Sequence, residues 1–518
     1  MAVAEFRPEP FTDFGREENI RAFQAALDRV QKEMGREIPL IIGGDRVMNG
    51  VKFDSVNPAA PGEVIGRVSG TEEGHYRQAM QAALGAFEMW SRTEPAARAR
   101  VLLKAAAMLR RRKHEFSAML VLEVGKTWPE ADADTAEAVD FLEFYAREMV
   151  RLTSERRLTR IPGEDNELTY VPMGVGAVIP PFNFPLAIAC GMTAAAVVTG
   201  NTVLLKPAVP APVVAYHLVE LLEEAGLPAG VVNYLPSAEA DVGQWLVSDP
   251  ATRFISFTGS RAVGTKVCEE AARVRPGQRW LKRVVAEMGG KDAIVVDRDA
   301  DLQEAAFGIV SAAFGFGGQK CSACSRAIIH QDVYRRVLDL VVGMAESLRV
   351  DDPRNRDADV GPLAGRSYYE RVLQYIEVGR REGRLALGGG PLERAGGGYF
   401  VRPTIFADVD PQARIAQEEI FGPVLAFHSA PDFRTAIAMA NDTEYGLTGA
   451  VYSRNREHIE YARREYMVGN LYFNRKCTGA LVGVHPFGGF KMSGTDSKAG
   501  GFDYLSLFLQ AKTISERL

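Results

Sequence analysis

Cysteine is scarce in this chain. Five cysteines among 518 residues are too few, and odd in number, for a disulfide framework, so reduced thiols in a cytoplasm are expected. Neither sign of charge is in excess: 61 Lys+Arg against 66 Asp+Glu leave a net charge of −5. That balance excludes the concentrated basic surface a nucleic-acid binder needs. Long hydrophobic runs are also missing. The longest, around LAIACGMTAAAVV, is broken by Gly and Thr and is too short to cross a membrane. A buried helix is expected there instead. The opening MAVAEFRPEPFTDFGREEN carries acids and no apolar core, unlike a secretory leader. No fixed-period repeat and no low-complexity linker interrupts the chain.

What is present is an ordinary globular composition, 47% hydrophobic and 25% charged, in a chain too long for one core. Residues 18–34 space Ile20, Phe23, Ala26, Leu27 and Val30 as one helical face, which predicts an amphipathic docking arm. LIIGGDRV and FDSVNPAAPGEVIGRVS read as short strands broken by turns. Residues 72–151 read as three helical segments, one break falling at SRTEP. The stretch ERRLTRIPGEDNELTYVPMGV reads as a projecting hairpin around a Pro-Gly turn, which would need an outside partner to cover its apolar face. From residue 175 apolar strands alternate with helices, and from about 290 the alternation restarts. This pattern predicts an α/β fold, two parallel sheets with helices on both faces.

Several short motifs could carry chemistry. In AAFGFGGQKCSACSRAII, Cys321 and Cys324 stand three apart. A zinc site would need a second Cys or Cys/His pair, and Cys190, Cys268 and Cys477 stand alone; no metal site is expected. A thioredoxin-like redox pair is out of place so deep in a large chain. Cys321 as a nucleophile fits its Gly-rich loop and neighbouring Lys320, where an N–H group and a cation could favour the thiolate. A merely buried cysteine remains open as the alternative. RFISFTGSRAVG places Gly259, Ser260 and Gly264 around a helix entrance suited to pyrophosphate, but it lacks the full dinucleotide fingerprint, and a plain βα turn reads as well. Lys206 leaves the end of an apolar strand, where it could face ligand or solvent. Glu287 stands at another strand end, as a general base or a solvated acid. Asn183, in the stiff turn PPFNFP, could be an oxyanion donor or simple turn chemistry. Glu419 and Phe421 occupy a similar proline-bounded loop, QEEIFGPV.

Taken together and in order, PFNFP 181–185, KPA 206–208, FTGS 257–260, EMGGK 287–291, GQKC 318–321, EEIFGPV 418–424 and PFGGFKMSG 486–494 resemble the aldehyde dehydrogenase superfamily over most of the chain. GQKCSACSR 318–326, the TGA…VG stretch 478–483 and SGT…KAGG 493–501 are similar to the L-glutamate γ-semialdehyde (Δ1-pyrroline-5-carboxylate) dehydrogenases. The resemblance implies that Cys321 is the nucleophile and Cys324 a bystander. It implies an oxyanion hole from Asn183 and the Cys321 N–H, and Glu287 as activator of the deacylating water. Lys206, Gly259, Ser260, Gly264, Glu419 and Phe421 would hold NAD. Val209 stands where many NAD-preferring relatives have Glu, so acceptance of NADP is expected as well. Substrate residues would be Glu137 for the ammonium, Gly479, Ala480 and Ser322 for the carboxylate and Phe487 against the aliphatic stem, with Phe184 and Lys320 also at the substrate.

The implied architecture is aldehyde dehydrogenase-like: two Rossmann-like parallel α/β domains plus a small β oligomerisation flap. An N-terminal helical arm would span 1–37, an NAD-binding domain 38–153 and 173–289, and a catalytic domain 290–488. The flap and C-terminal tail would be 154–172 and 489–518. At least a homodimer, or an assembly of dimers, is implied, with no membrane insertion. The chain has no room for a flavin-dependent barrel, so a proline dehydrogenase would be a separate partner. The competing readings are another semialdehyde dehydrogenase, such as one for succinate semialdehyde, a catalytically inactive binding relative, and a CxxC redox protein.

Overall fold

Strands from the alternating region make up most of two seven-stranded sheets. The computed structural model describes residues 4–154 and 158–518. In spatial order the first sheet runs Arg283–Glu287, Phe254–Thr258, Val175–Ile179, Thr202–Leu205, Val232–Tyr234, Leu40–Ile42 and Asp45–Val47. Its first five strands are parallel. LIIGGDRV closes the edge as an antiparallel hairpin, its turn at Gly43 and Gly44 having φ of 62° and 92°. From Val175–Ile179 the chain winds to one side through two strands, then crosses to Phe254–Thr258 on the other side. That reversal opens a crevice at the carboxyl ends of the strands. The second sheet runs Arg384–Leu387, Thr404–Ala407, Val424–Ala430, Arg326–His330, Ala293–Val296, Thr448–Tyr452 and Asn470–Phe473. It is parallel apart from the first of these.

LAIACGMTAAAVV forms the buried helix Ala187–Val198, and among the described residues no helix is long and apolar enough to cross a membrane. The arm helix Glu17–Lys32 buries Phe23, Ala26, Leu27 and Val30, with Phe23 4.4 Å from the Trp128 ring. Two sequence expectations are corrected. Residues 72–151 hold four helices, not three: Glu73–Trp90, Pro95–Arg111, Lys113–Val124 and Trp128–Ser154. The unforeseen break is Arg112, at φ −102° and ψ 18°, where no Gly or Pro announces a turn. The hairpin is not a hairpin either. Glu164–Pro172 pairs antiparallel with the C-terminal strand Leu509–Arg517. Residues 158–161 form no strand, and 155–157, where the first arm was expected to begin, lie outside the described residues. Local pattern cannot reveal a pairing partner more than 300 residues away.

Candidate active site

The loop that presents Cys321 is shaped by backbone geometry that few residues accept. After the helix Leu302–Phe314, Phe316, Gly317 and Gly318 are all left-handed, at φ 51°, 58° and 69°. A Cβ on Gly318 would sit 2.3 Å from the Gly422 carbonyl oxygen, and one on Gly290 2.2 Å from that of Cys321. Phe316 has no such excuse, and the left-handed conformation costs it about 1–2 kcal/mol. Its N–H donates to the Glu130 carboxylate, and its ring is buried. Gln319, fully buried, donates through Nε2 to the Phe316 and Pro362 carbonyls at 3.1 and 3.3 Å and accepts from the Ala364 N–H at 2.9 Å. The loop is strained and clamped at once, as sites under functional constraint often are.

The two cysteines have different surroundings. Cys324 is buried, its thiol donating to the Arg326 carbonyl at 3.4 Å, whereas Cys321 is partly exposed. All five thiols are free. The expectation that the loop and Lys320 favour the Cys321 thiolate is corrected. Burial, then the carboxylates of Asp292, Glu419 and Glu287, push the thiol up, against a weaker backbone hydrogen bond from Ser322. Lys320 does not compensate: its ammonium lies 3.8 Å from Glu130, and burial lowers its own pKa. The Cys321 proton must therefore pass to a base.

Glu287 ends an edge strand of the first sheet, in register with Thr258. Its carboxylate accepts from the Ser497 hydroxyl at 2.6 Å, the Ser497 N–H at 3.3 Å and the Gly489 N–H at 3.1 Å. Burial outweighs these bonds and raises its carboxyl to about 7, the range of a working general base at neutral pH. Asn183 is buried, with no hydrogen-bond partner among the described residues. Its turn is pinned by Asp134, which accepts from the Ala187 N–H at 2.7 Å. Asp134 in turn pairs with buried Lys126 at 2.9 Å. The Lys126 ammonium lies 3.8 Å from the Phe184 ring centre and 4.9 Å from that of Phe316, within cation–π range. One buried ion pair thus joins the Asn183 turn to the Cys321 loop. Sequence reasoning missed Lys126, Glu130, Asp134 and Gln319. Gln319 entered only as part of GQKC, and the other three carry no local signal.

Along the first sheet's crevice, Lys206 follows the strand Thr202–Leu205. It is half-buried, pairs with nothing among the described residues, and has its pKa lowered by burial. Ser260 caps the helix Arg261–Ala272, accepting from the Val263 N–H at 3.4 Å, beside Gly259. Gly264, in the first turn of that helix, also packs closely: a Cβ there would meet Met288 Sδ at 2.5 Å. Glu419 accepts from the Gly290 N–H at 3.1 Å. Phe421, at φ 62°, packs on Phe182 at 5.7 Å. A free cation at a strand end, a small-residue helix entrance and an acid-bearing loop fit a dinucleotide's riboses and pyrophosphate. Among the described residues no group of three or more His, Cys, Asp or Glu is placed to hold a metal ion.

The remaining predicted residues gather on two other elements. Gly479 is left-handed at φ 79°. Arg475, stacked on Tyr472 at 4.4 Å, donates to the Thr478 and Gly479 carbonyls at 2.9 and 3.0 Å. Among the described residues the N–H groups of Gly479 and Ala480 have no backbone partner. Cys477 donates to the Ser322 carbonyl at 3.4 Å, tying this loop to the catalytic one. Phe487 is held by paired backbone bonds with Ala499, at 2.9 and 2.7 Å. Glu137, on the helix that carries Asp134, is half-buried without a hydrogen-bond partner among the described residues. Burial, and then Asp134, raise its carboxyl to about 8.

Residues 47–514 match the Aldehyde dehydrogenase family. A 1-pyrroline-5-carboxylate dehydrogenase of Geobacillus thermodenitrificans is 60% identical over 514 residues, 99% of each chain. The structure of a 1-pyrroline-5-carboxylate dehydrogenase from Thermus with bound NAD superimposes with a TM-score of 0.98, at 53% identity over 100% of both chains. Proline utilization A from Bdellovibrio bacteriovorus, inactivated by N-propargylglycine, gives a TM-score of 0.97 at 42% identity; the match covers 99% of this chain and 53% of that one.

Proposed function

The chain belongs to the aldehyde dehydrogenase family, and from that premise we propose that its site oxidises L-glutamate γ-semialdehyde, the open form of 1-pyrroline-5-carboxylate, to L-glutamate with NAD. This is the second step of proline degradation. The observation that carries the substrate is a pair of unsatisfied groups with opposite demands. Among the described residues the Glu137 carboxyl has no hydrogen-bond partner, the Lys126 charge that reaches it being paired with Asp134, and the Gly479 and Ala480 N–H groups have no backbone partner. An α-ammonium and an α-carboxylate on one short chain answer both, and burying either unpaired would be costly.

Cys321, its proton passed to a base, attacks the aldehyde carbon to give a thiohemiacetal. Asn183 and the Cys321 N–H hold the oxyanion. NAD, when bound, supplies the hydride acceptor, held by Lys206 and Glu419 at the riboses and by Gly259 and Ser260 at the pyrophosphate. The thioester left on Cys321 is hydrolysed by water that Glu287 deprotonates, releasing the carboxylate and restoring the thiol. Ser322 adds a hydroxyl to the carboxylate site. Phe184, Phe487 and the stem of Lys320 enclose the aliphatic chain.

Exposed Val209 offers nothing to repel a 2′-phosphate, so NADP is also a substrate in this reading. The chain divides into an NAD-binding domain around the first sheet, a catalytic domain around the second, and a flap formed by Glu164–Pro172 with Leu509–Arg517. That ribbon is largely exposed, which supports at least a homodimer that covers it. Likeness to proline utilization A supports a separate proline dehydrogenase as partner, and five free thiols support a cytoplasmic location. The test is steady-state turnover of glutamate, succinate and unsubstituted short semialdehydes and aldehydes with NAD and NADP. Succinate semialdehyde leaves Glu137 unpaired and should lose roughly tenfold or more in kcat/KM. Equal efficiency on the two semialdehydes refutes the substrate assignment.

A further inference from the structure

The N-terminal arm reaches the substrate loop. Residues 4–13 run without regular structure along the helix Trp128–Ser154 and are latched to it repeatedly. Arg147 Nε donates to the Ala4 carbonyl at 2.8 Å, and the Glu9 N–H donates to Asp140 at 2.7 Å. Thr12 donates to Asp132 through its N–H at 2.7 Å and its hydroxyl at 2.5 Å. Lys113, from the preceding helix, adds a bond to the Pro10 carbonyl at 2.9 Å. One arm side chain does something else. The Phe6 ring packs edge-on against Phe144, with centroids 5.3 Å apart at 75°, and together the two rings close on Gly483. A Cβ there would lie 3.0 Å from an atom of each.

Gly483 is the centre of the loop 478–487. Its N–H donates to the Gly500 carbonyl at 2.9 Å, and the Gly500 N–H donates to the Tyr145 hydroxyl at 2.9 Å. The loop is therefore gripped between the segment around Gly500 and the Phe6–Phe144 pair, three residues beyond Ala480. Phe144 lies seven residues after Glu137, two turns along the same helical face. One rigid rail thus carries both the carboxylate for the ammonium and the ring that fixes the loop for the carboxylate.

We propose that Phe6 is a positioning residue for substrate: it seats the 478–487 loop on Phe144 and so holds the Gly479–Ala480 N–H groups in register with Glu137. This rests on the glutamate γ-semialdehyde reading above. Phe6 touches neither Cys321 nor the cofactor crevice, so its loss should act on binding of the charged aldehyde and leave the chemistry alone. Losing one edge-on aromatic contact loosens a loop without unfolding the protein.

The experiment compares the unmodified protein, Phe6→Ala and Phe6→Tyr on glutamate γ-semialdehyde and on propanal with NAD, together with their thermal midpoints. Phe6→Ala should raise KM for the semialdehyde about tenfold, a loss of about 1.4 kcal/mol. Its kcat, its KM for NAD and its efficiency on propanal should change by less than about twofold. Phe6→Tyr, which keeps the ring, should restore KM. Equal losses on both aldehydes would mark Phe6 as a general stabiliser and overturn the proposal, as would an unchanged KM in Phe6→Ala. If Phe6→Ala is too unstable to assay, deletion of residues 1–6 with the same two substrates gives the same discrimination. An unmodified protein without preference for the semialdehyde over propanal sinks the substrate reading and this proposal together. A clear preference with no effect of Phe6→Ala sinks this proposal alone.

Discussion

Replacing Glu287 by Gln separates the two halves of the reaction. The carboxylate is held by Ser497 and Gly489, and glutamine can keep part of that geometry while losing the ability to take a proton. The folded carboxyl titrates at about 7 because burial disfavours its charged form. About one tenth of it is then ionised a unit below that value and about nine tenths a unit above. If hydrolysis of the thioester limits turnover, kcat of the unmodified protein should rise about tenfold across those two units. Loss of a general base costs about 10²–10⁴-fold, so turnover of Glu287→Gln should fall by that factor and lose the pH limb near 7. Thiohemiacetal formation and oxidation do not need Glu287 as the base, because hydroxide can take the Cys321 proton at alkaline pH. Stopped-flow absorbance of the reduced nicotinamide above pH 8 should therefore show a burst of about one equivalent per active subunit, then slow release. A variant with no burst, undiminished turnover, or the same rise near pH 7 as the unmodified protein would refute the assignment.

Three further outcomes follow from the same geometry. Cys321→Ala should abolish dehydrogenase activity while leaving NAD binding by calorimetry intact, whereas Cys324→Ala, which removes only a buried bystander thiol, should keep most of the rate; comparable losses in both would overturn the single-nucleophile assignment. Gly479→Val places a β-branched residue at φ 79° and should raise KM for glutamate γ-semialdehyde at least tenfold, with propanal little affected; the ratio of the two KM changes is the measurement. Glu137→Gln should weaken semialdehyde binding and also shift stability with pH. The folded carboxyl, raised to about 8, binds its proton more tightly than the unfolded chain does. The unmodified protein therefore loses stability as pH rises from the ordinary carboxylate range to about 8. The thermal midpoint of the variant relative to the unmodified protein should climb over that interval, and a constant difference would contradict the burial of a free acid there.

Much of the site was legible because strand ends and stiff turns announce themselves locally. Lys206 and Glu287 end apolar strands, and Ser260 opens a helix where Gly259 and a strand precede it. PPFNFP and GFGGQKC could hardly be anything but constrained loops. The parallel α/β order was equally plain, since buried strands alternating with helices leave few other ways to cover both faces of a sheet. These features depend on near neighbours in the chain, and sequence records near neighbours directly.

What escaped depends on distant ones. The extended segment around the Pro-Gly turn finds its partner at the C-terminus, because ladder hydrogen bonds are indifferent to sequence separation. The Cys321 thiol is not favoured as thiolate: the adjacent Lys320 is spent on Glu130, while Asp292, Glu419 and Glu287 converge from three other segments. Lys126 and Asp134 carry no local signal, and only folding buries them between the Asn183 turn and the Cys321 loop. Sequence by itself determined the fold class and, through its resemblance to a known family, the chemistry; the loops that present Cys321 and Asn183 were legible because their geometry is local. Tertiary structure alone decided the charge environment of that nucleophile and the brace from Phe6 to the substrate loop, because electrostatics and packing act through space, between groups the chain order keeps far apart.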